Sequence, residues 1–408
     1  LTIQKMLEKR SRQLNEPAAL TNLRLEGAIH YEVAAPLKIE RLDYEKWLNI
    51  NDSEEFLKTL APEPKLKDAL DVAHKMTLMA EGVYIAPFSQ VLKERPTLLT
   101  KYFAHCTQQY LNENKQLAIH QAFFSDSLVL YFPKKFKSKQ PIHLSEKIAG
   151  WAVHNVLIIL EEQAEVELVH TLSANDSQAG QAHILVEVFG HENSHFTYLS
   201  VNMLDDVHPA YILRSGFTMR NATIMWKQVE LGESHEVSDL RVHMLGEGSE
   251  STLEAIAISD GQQVVGVNSQ IVNMAPHTMA DIHQKGVALD HSTLTFTAIG
   301  HIINQAKNAN SEQESRILML SKDARGDTNP ILLIDEYEVM AGHAASIGQI
   351  PPQDLYYLTS RGLRPQVALK LYALGFLKST ITGDFYEGIV DLEKMLEEKM
   401  MRYAIEHK

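Results

Sequence analysis

The stretch "STLEAIAISDGQQVVGVNSQIVNMAPHTMADIHQKGVALDHSTLTFTAIGHI", residues 251–302, decides the fold class. Short runs rich in Ile, Val, Thr and Phe ("STLEAIAIS", "SQIVNM", "STLTFTAIGHI") alternate with polar or glycine-bearing breaks ("SDGQQ", "MAPHT", "ALDHS"). No helix-period segment separates them. That excludes a βαβ protein, in which helices join the strands of a parallel sheet. Outward from this window the same rhythm runs from about 115 to 340. It includes "LAIHQAFF", "SLVLYF", "NVLIIL", "EVELVH", "HILVEVF", "FTYLSVNML" and "TIMWKQVEL" upstream, and "RILMLS" downstream. Two architectures fit: a large sandwich or a solenoid of stacked strands. The run is long for one sandwich, and it has a single tight-hairpin signal of the Asp-Gly kind, Asp260-Gly261. Both points favour a β-helix. The lack of a clear fixed repeat stands against it.

The flanks read as helical. Ile3, Met6, Leu7 and Leu14 follow helical spacing, as do Leu66, Leu70, Ala73 and Met76 before Gly82. Pro96 is placed to open a helix whose apolar face carries Leu99, Phe103, Cys106 and Tyr110, so Cys106 is expected as a buried small residue. Beyond Pro351-Pro352, one helix ends at Gly362 and a second runs from Pro365 to Gly375. A last one carries Ile389, Leu392, Leu396 and Tyr403. The expected division is an N-terminal helical region at 1–113, a β-core at 114–350 and a C-terminal helical domain at 351–408.

Composition limits the function. The 408 residues carry 38 basic and 52 acidic side chains, a formal charge of −14. That argues against a nucleic-acid binder and against adhesion to an anionic membrane. One cysteine permits no internal disulfide and no cysteine-based zinc or iron–sulfur site within one chain, and it fits a reducing compartment. No apolar run approaches the roughly 20 residues of a membrane span. "LTIQKMLEKRSRQLNEP" reads as a polar helix and not as a signal peptide, so a cytoplasmic location is expected.

Several chemical motifs can be weighed. "HENSH", His191–His195, matches the H-E-x-x-H zinc-protease string, but that chemistry needs both histidines on one helix face. Gly190, Asn193 and Ser194 predict a turn instead. No G-x-x-x-x-G-K-[ST] loop exists, so the chain is not expected to hydrolyse ATP itself, and no G-x-S-x-G elbow is present. His343 sits in "AGHAASIG" with no second ligand or base beside it.

Residues 341–362, "AGHAASIGQIPPQDLYYLTSRG", resemble the C-terminal signature of the SufB/SufD family, scaffold subunits of the Suf iron–sulfur cluster assembly machinery. The signature is a small-His-small strand end, a glycine, then a helix reading aromatic-aliphatic-x-x-Arg-Gly. The stretch 285–339, from "KGVALDHS" through "QAKNANSEQE" to "LLIDEYEV", is similar to the family's core. "LAIHQAFFSDSLVLYFPKKFKSKQPIHL", 117–144, resembles the segment that opens the family's β-region.

The resemblance implies a right-handed parallel β-helix between helical terminal domains. It also implies a non-enzymatic role in a SufBCD-type complex, with the chain pairing with a SufB-like subunit or with itself. Its C-terminal helices would dock the ATPase SufC, which uses the ATP. No cofactor would be permanently bound; a transient iron–sulfur cluster would form at the subunit interface. His343 matches the interface histidine and is the candidate iron or cluster ligand, which suits neutral imidazole. Asp354, Leu355, Tyr357, Leu358, Arg361 and Gly362 match the ATPase-docking helix. Ala324 stands where SufB-type chains place a cluster cysteine, and Ala341 where some SufD-type chains have one. With Cys106 as the sole thiol, the SufD type is favoured. Two alternatives stay open: a homodimeric scaffold without a SufB-like partner, and a β-helix carbohydrate-active enzyme using carboxylates.

Overall fold

The structure is a computed structural model that describes residues 3–13, 15–36, 38–48, 69–103, 114–124, 126–174, 179–381, 394–395 and 397–399. Leu14, Leu66, Cys106, Tyr110 and the helix expected through Ile389, Leu392, Leu396 and Tyr403 lie outside the described residues.

Two sheets share the β-region. The first holds β1 (Tyr84–Pro87), β2 (Asp126–Phe132), β4 (Ala152–Leu160), β6 (Ala182–Gly190) and β8 (Ala210–Thr218). It continues through β10 (Glu236–Met244), β12 (Val264–Asn273), β14 (Thr293–Ile302) and β16 (Arg325–Ile334) in that order. The second starts with β3 (Ile142–Ile148), β5 (Glu165–Ala174), β7 (His195–Met203) and β9 (Thr223–Glu230). It continues through β11 (Glu250–Ser259), β13 (Met279–Ala288), β15 (Asn310–Met319) and β17 (Met340–Gly348). Successive strands alternate between the sheets, and within each sheet neighbours run parallel. The one exception is β1, antiparallel to β2. This is a parallel β-solenoid: each turn lays one strand on each sheet. Asp260-Gly261 joins β11 to β12 in opposite sheets, so it makes a corner and not a hairpin.

The repeat is real but uneven. Ala210 pairs with Glu236, 26 residues on, whereas Leu294 pairs with Gly326, 32 on. What recurs is backbone conformation. At one corner Gln163, Asn193, Asn221, Gly248, His277 and Asn308 all have φ between 53° and 69°. They stack rung on rung: each amide donates to the next turn, as Asn193 N does to Arg220 O and Asn221 N to Glu247 O. A left-handed residue turns the chain sharply at each rung, which Asn and Gly tolerate best.

The interior is filled by alternate residues. Ile184, Val186, Val188, Ile212, Leu240 and Val242 face Tyr198, Trp226 and Leu253 across the lumen. Burying each such side chain contributes about 1.5–3 kcal/mol. A polar cluster interrupts this core: Arg214, 0% exposed, donates to Ser200 and Ser238 and pairs with Glu230 at 3.3 Å.

Helices cover the outer faces. On the first sheet, α6 (Lys115–Phe123) brings Leu117, Ile119 and Phe123 against Val153, Leu157, Leu185 and Tyr211. α2 (Ala18–Val33), reached from α1 (Ile3–Gln13), packs on α6 so closely that a Cβ on Gly27 would lie 2.6 Å from Ala122 N. The 117–124 segment, expected as a strand, is therefore mostly helix. α3 (Val72–Ala80), capped by Asp71, α4 (Phe88–Glu94) and α5 (Pro96–Tyr102) complete the described N-terminal elements. On the second sheet, α7 (Pro352–Ser360) leads to α8 (Pro365–Lys378). Ala373, Leu374 and Leu377 of α8 bury against Val229, Ile256, Val287 and Leu318. α8 runs through Gly375 and ends at Lys378, three residues later than its glycine suggested.

Candidate assembly interface

Both sheets end at the same end of the solenoid, on β16 and β17. Neither strand has a further neighbour among the described residues. Arg325 N donates to Ser292 O and Asp335 N to Ile302 O, so odd-numbered residues of β16 bond to β14. Even-numbered residues therefore turn their N–H and C=O outward, and Pro330 leaves that edge without one donor. In β17 the parity is reversed: Met340 N donates to Ala309 O, so Ala341, His343, Ala345 and Ile347 point their backbone groups at the open edge. No proline interrupts β17.

His343 is exposed on this edge, in register with buried Gln313 of β15. Its neighbours are small. Gly342 lets the backbone approach Glu312, whose Oε2 would be 2.5 Å from an added Cβ. The imidazole stands on a low, flat strand that a second chain can approach. The end of β16, the β16–β17 corner and the start of β17 carry exposed apolar side chains: Leu333, Ile334, Tyr337 and Met340, with Tyr337 99% exposed. Lone apolar residues on a surface are ordinary, but a group gathered at an unpaired edge marks an interaction surface. Among the described residues no three His, Cys, Asp or Glu side chains gather to hold a metal ion. "HENSH" forms a turn between β6 and β7, with His191 Nε2 2.7 Å from the Tyr102 hydroxyl.

Directly beyond β17, α7 and α8 form a second feature. Tyr356 and Tyr357 are 75% and 57% exposed, and an apolar groove is lined by Leu358, Leu371, Tyr372, Gly375 and Phe376. The residues matched to a docking helix divide. Tyr357 points outward with the Arg361 guanidinium 5.3 Å from its ring centre. Gly362 closes α7 at φ 92°, its amide donating to Thr359 O. Leu355 packs on the solenoid, and Asp354 accepts from the Tyr372 hydroxyl at 3.1 Å, fastening α7 to α8. Leu371 and Phe376 were missed in the sequence; Leu371 and Val367, both over 40% exposed and four apart on α8, were the available signal.

The family model for the Suf-system iron–sulfur assembly SufBD core domain matches residues 143–376, more than half of the chain. The chain belongs to the SufBD family. The SufBD N-terminal region model matches residues 65–144. The iron-sulfur cluster assembly protein SufD of Bacillus subtilis is 30% identical over 97% of this chain and 98% of its own length. An iron-sulfur cluster assembly SufBD family protein of Staphylococcus aureus is 25% identical over 81% of this chain and 72% of its own. The SufBD core match spans both the open strand edges and most of α8. No helix among the described residues is long and apolar enough to cross a membrane.

Proposed function

We propose that this SufBD-family chain is a non-catalytic scaffold subunit of a cytosolic iron–sulfur cluster assembly complex. Its open edges pair with a SufB-like subunit, and α7–α8 dock the ATPase SufC. One observation carries the reading: the paired sheets stop, unpaired, on the strand that bears His343. A strand from another chain completes the hydrogen bonding of β17 and encloses the imidazole between two subunits. There His343 is a ligand for iron or for the nascent cluster, which is the complex's cargo; the other ligands come from the partner. An ATPase docked on the exposed tyrosines and the groove of α7–α8 would sit a short chain distance from that interface, and the exposure of Tyr356 and Tyr357 supports this reading.

The test is co-expression with the SufB-like and ATPase subunits. His343→Ala is expected to leave the complex intact by size-exclusion chromatography while lowering bound iron and acid-labile sulfide several-fold. Unchanged iron and sulfide would restrict His343 to a structural role. Leu371→Asp, on the groove, is expected to lose the ATPase at purification and keep the SufB-like chain. Full retention of the ATPase would remove the docking assignment.

A further inference from the structure

The last rung of the solenoid holds a buried acceptor with nothing to accept from. Gln313 of β15 is 3% exposed. Its Nε2 donates across the lumen to Ile331 O of β16 at 3.1 Å. Gly300 of β14 leaves room for that reach: a Cβ there would lie 2.6 Å from Gln313 Nε2 and 2.3 Å from Ser311 Oγ. The donor side of the amide is thereby fixed. Gln313 Oε1, the acceptor side, is buried and has no hydrogen-bond partner among the described residues. Native proteins keep few such groups, because an unpaired buried carbonyl is costly. One rung deeper the same need is met. Gln284 of β13 donates to Ser269 Oγ at 3.0 Å and accepts from Ser315 Oγ at 2.8 Å.

The lateral neighbour of Gln313 is His343. The two are in register on adjacent parallel strands, which lie about 4.8 Å apart. They also share a face. A Cβ on Gly326 of β16 would lie 2.9 Å from Ile317 Cγ2 and 3.1 Å from Ile347 Cγ2, so both isoleucines are on the lumenal side. Gln313 precedes Ile317 by four residues and His343 precedes Ile347 by four, which puts this pair on that side too. The carboxylates of the rung are elsewhere: Glu312 and Glu314 are in register with Gly342 and Ala344, on the opposite face. An imidazole that binds a metal through one ring nitrogen carries its proton on the other, and that N–H needs an acceptor. At an open edge water serves. Beneath a second chain, water is displaced and Gln313 Oε1 is the free acceptor beside the ring.

We propose that Gln313 is a positioning residue for His343. Its Oε1 accepts the N–H of one imidazole nitrogen, selects that tautomer and leaves the other nitrogen for iron or the nascent cluster. Gln313 itself touches neither iron nor sulfide. This rests on the reading of His343 as a ligand, and the two fail separately.

The test uses the complex assembled with the SufB-like and ATPase subunits, with only this chain's histidines labelled. Magic-angle-spinning 15N spectra report the tautomer of His343, assigned by difference from His343→Ala. A single tautomer is expected in the wild type. Gln313→Met keeps the length of the side chain and removes the acceptor, so the second tautomer is expected to rise to a comparable population. Gly300→Ala, which displaces the Gln313 amide, is expected to do the same. Gln284→Met, one rung deeper, is expected to keep the wild-type spectrum. Bound iron and acid-labile sulfide are expected to fall several-fold in the first two variants and to hold in the third. A thermal melt on each variant identifies loss of fold, and Gly300→Ala decides alone if Gln313→Met does not fold. Mixed tautomers in the wild type, or a single one in folded Gln313→Met, overturn the proposal. Iron that falls in His343→Ala but not in Gln313→Met overturns it and leaves the ligand reading standing. Iron unchanged in His343→Ala overturns both.

Discussion

His183 is wholly buried on the outer face of β6, in register between Val153 and Tyr211. Burial pushes its pKa down to about 4, from an ordinary value near 6.5. The folded chain holds this ring neutral, while the unfolded chain protonates it near pH 6.5. Its contribution to stability is therefore full above pH 6.5 and is lost as pH falls to about 4, a loss of about 3 kcal/mol. His120 of α6, also buried, is shifted in the same direction by burial and by its histidine neighbours. His183→Leu is expected to flatten the fall of the urea midpoint between pH 7 and pH 4.5; a profile parallel to wild type would show that His183 is not the group. His343 shows how unevenly single residues can be read from sequence. Its type and small neighbours were plain, but nothing in spacing or composition shows that the strand it occupies has no neighbour. Its role was suggested by resemblance alone.

At the scale of elements, sequence pattern works where one face is wet. α7 and α8 were legible for that reason. α6 was not: every residue from Gln116 to Phe123 is buried, between α2 and the first sheet, so no apolar stripe stands out and "LAIHQAFF" imitates a strand. The left-handed corner left a faint trace in its Asn and Gly residues. Asn221, at φ 53°, donates through Nδ2 to Asn193 Oδ1 of the rung before. Asn221→Ala is expected to cost about 1–2 kcal/mol, and Asn221→Gly, which keeps the conformation cheap, clearly less. Equal losses on chemical denaturation would mean that the ladder of side chains, and not the backbone, matters. For β17, hydrogen exchange of the isolated chain is expected to alternate: the amides of Gly342, Ala344 and Ser346 slow, those of Ala341, His343 and Ala345 fast. Pairing should slow the second set. Uniform exchange along the strand would contradict the edge geometry.

For the whole molecule, the fold class was legible and the repeat was not. Each rung must close a loop around the lumen and supply small-to-medium apolar side chains inside, which many sequences satisfy. The corners can lengthen freely, as the spacing from 26 to 32 residues between paired positions shows. The interior can even accept Arg214 and its partners, so no column of identical residues builds up.

The two ends of the solenoid differ, and this limits what the chain can build. At the first end β1 is four residues long, antiparallel to its neighbour and finished by Pro87, and the edge of β3 is met by Ala69, whose carbonyl accepts from Ser145 N. Strand addition is discouraged there. At the other end β16 and β17 have no further strand neighbour among the described residues. On the proposed pairing, an object with one open end has a valence of one: strand addition saturates at a pair and does not elongate into a filament. For a rod made of stacked parallel strands, the commonest route to fibrous aggregation is closed by its own cap.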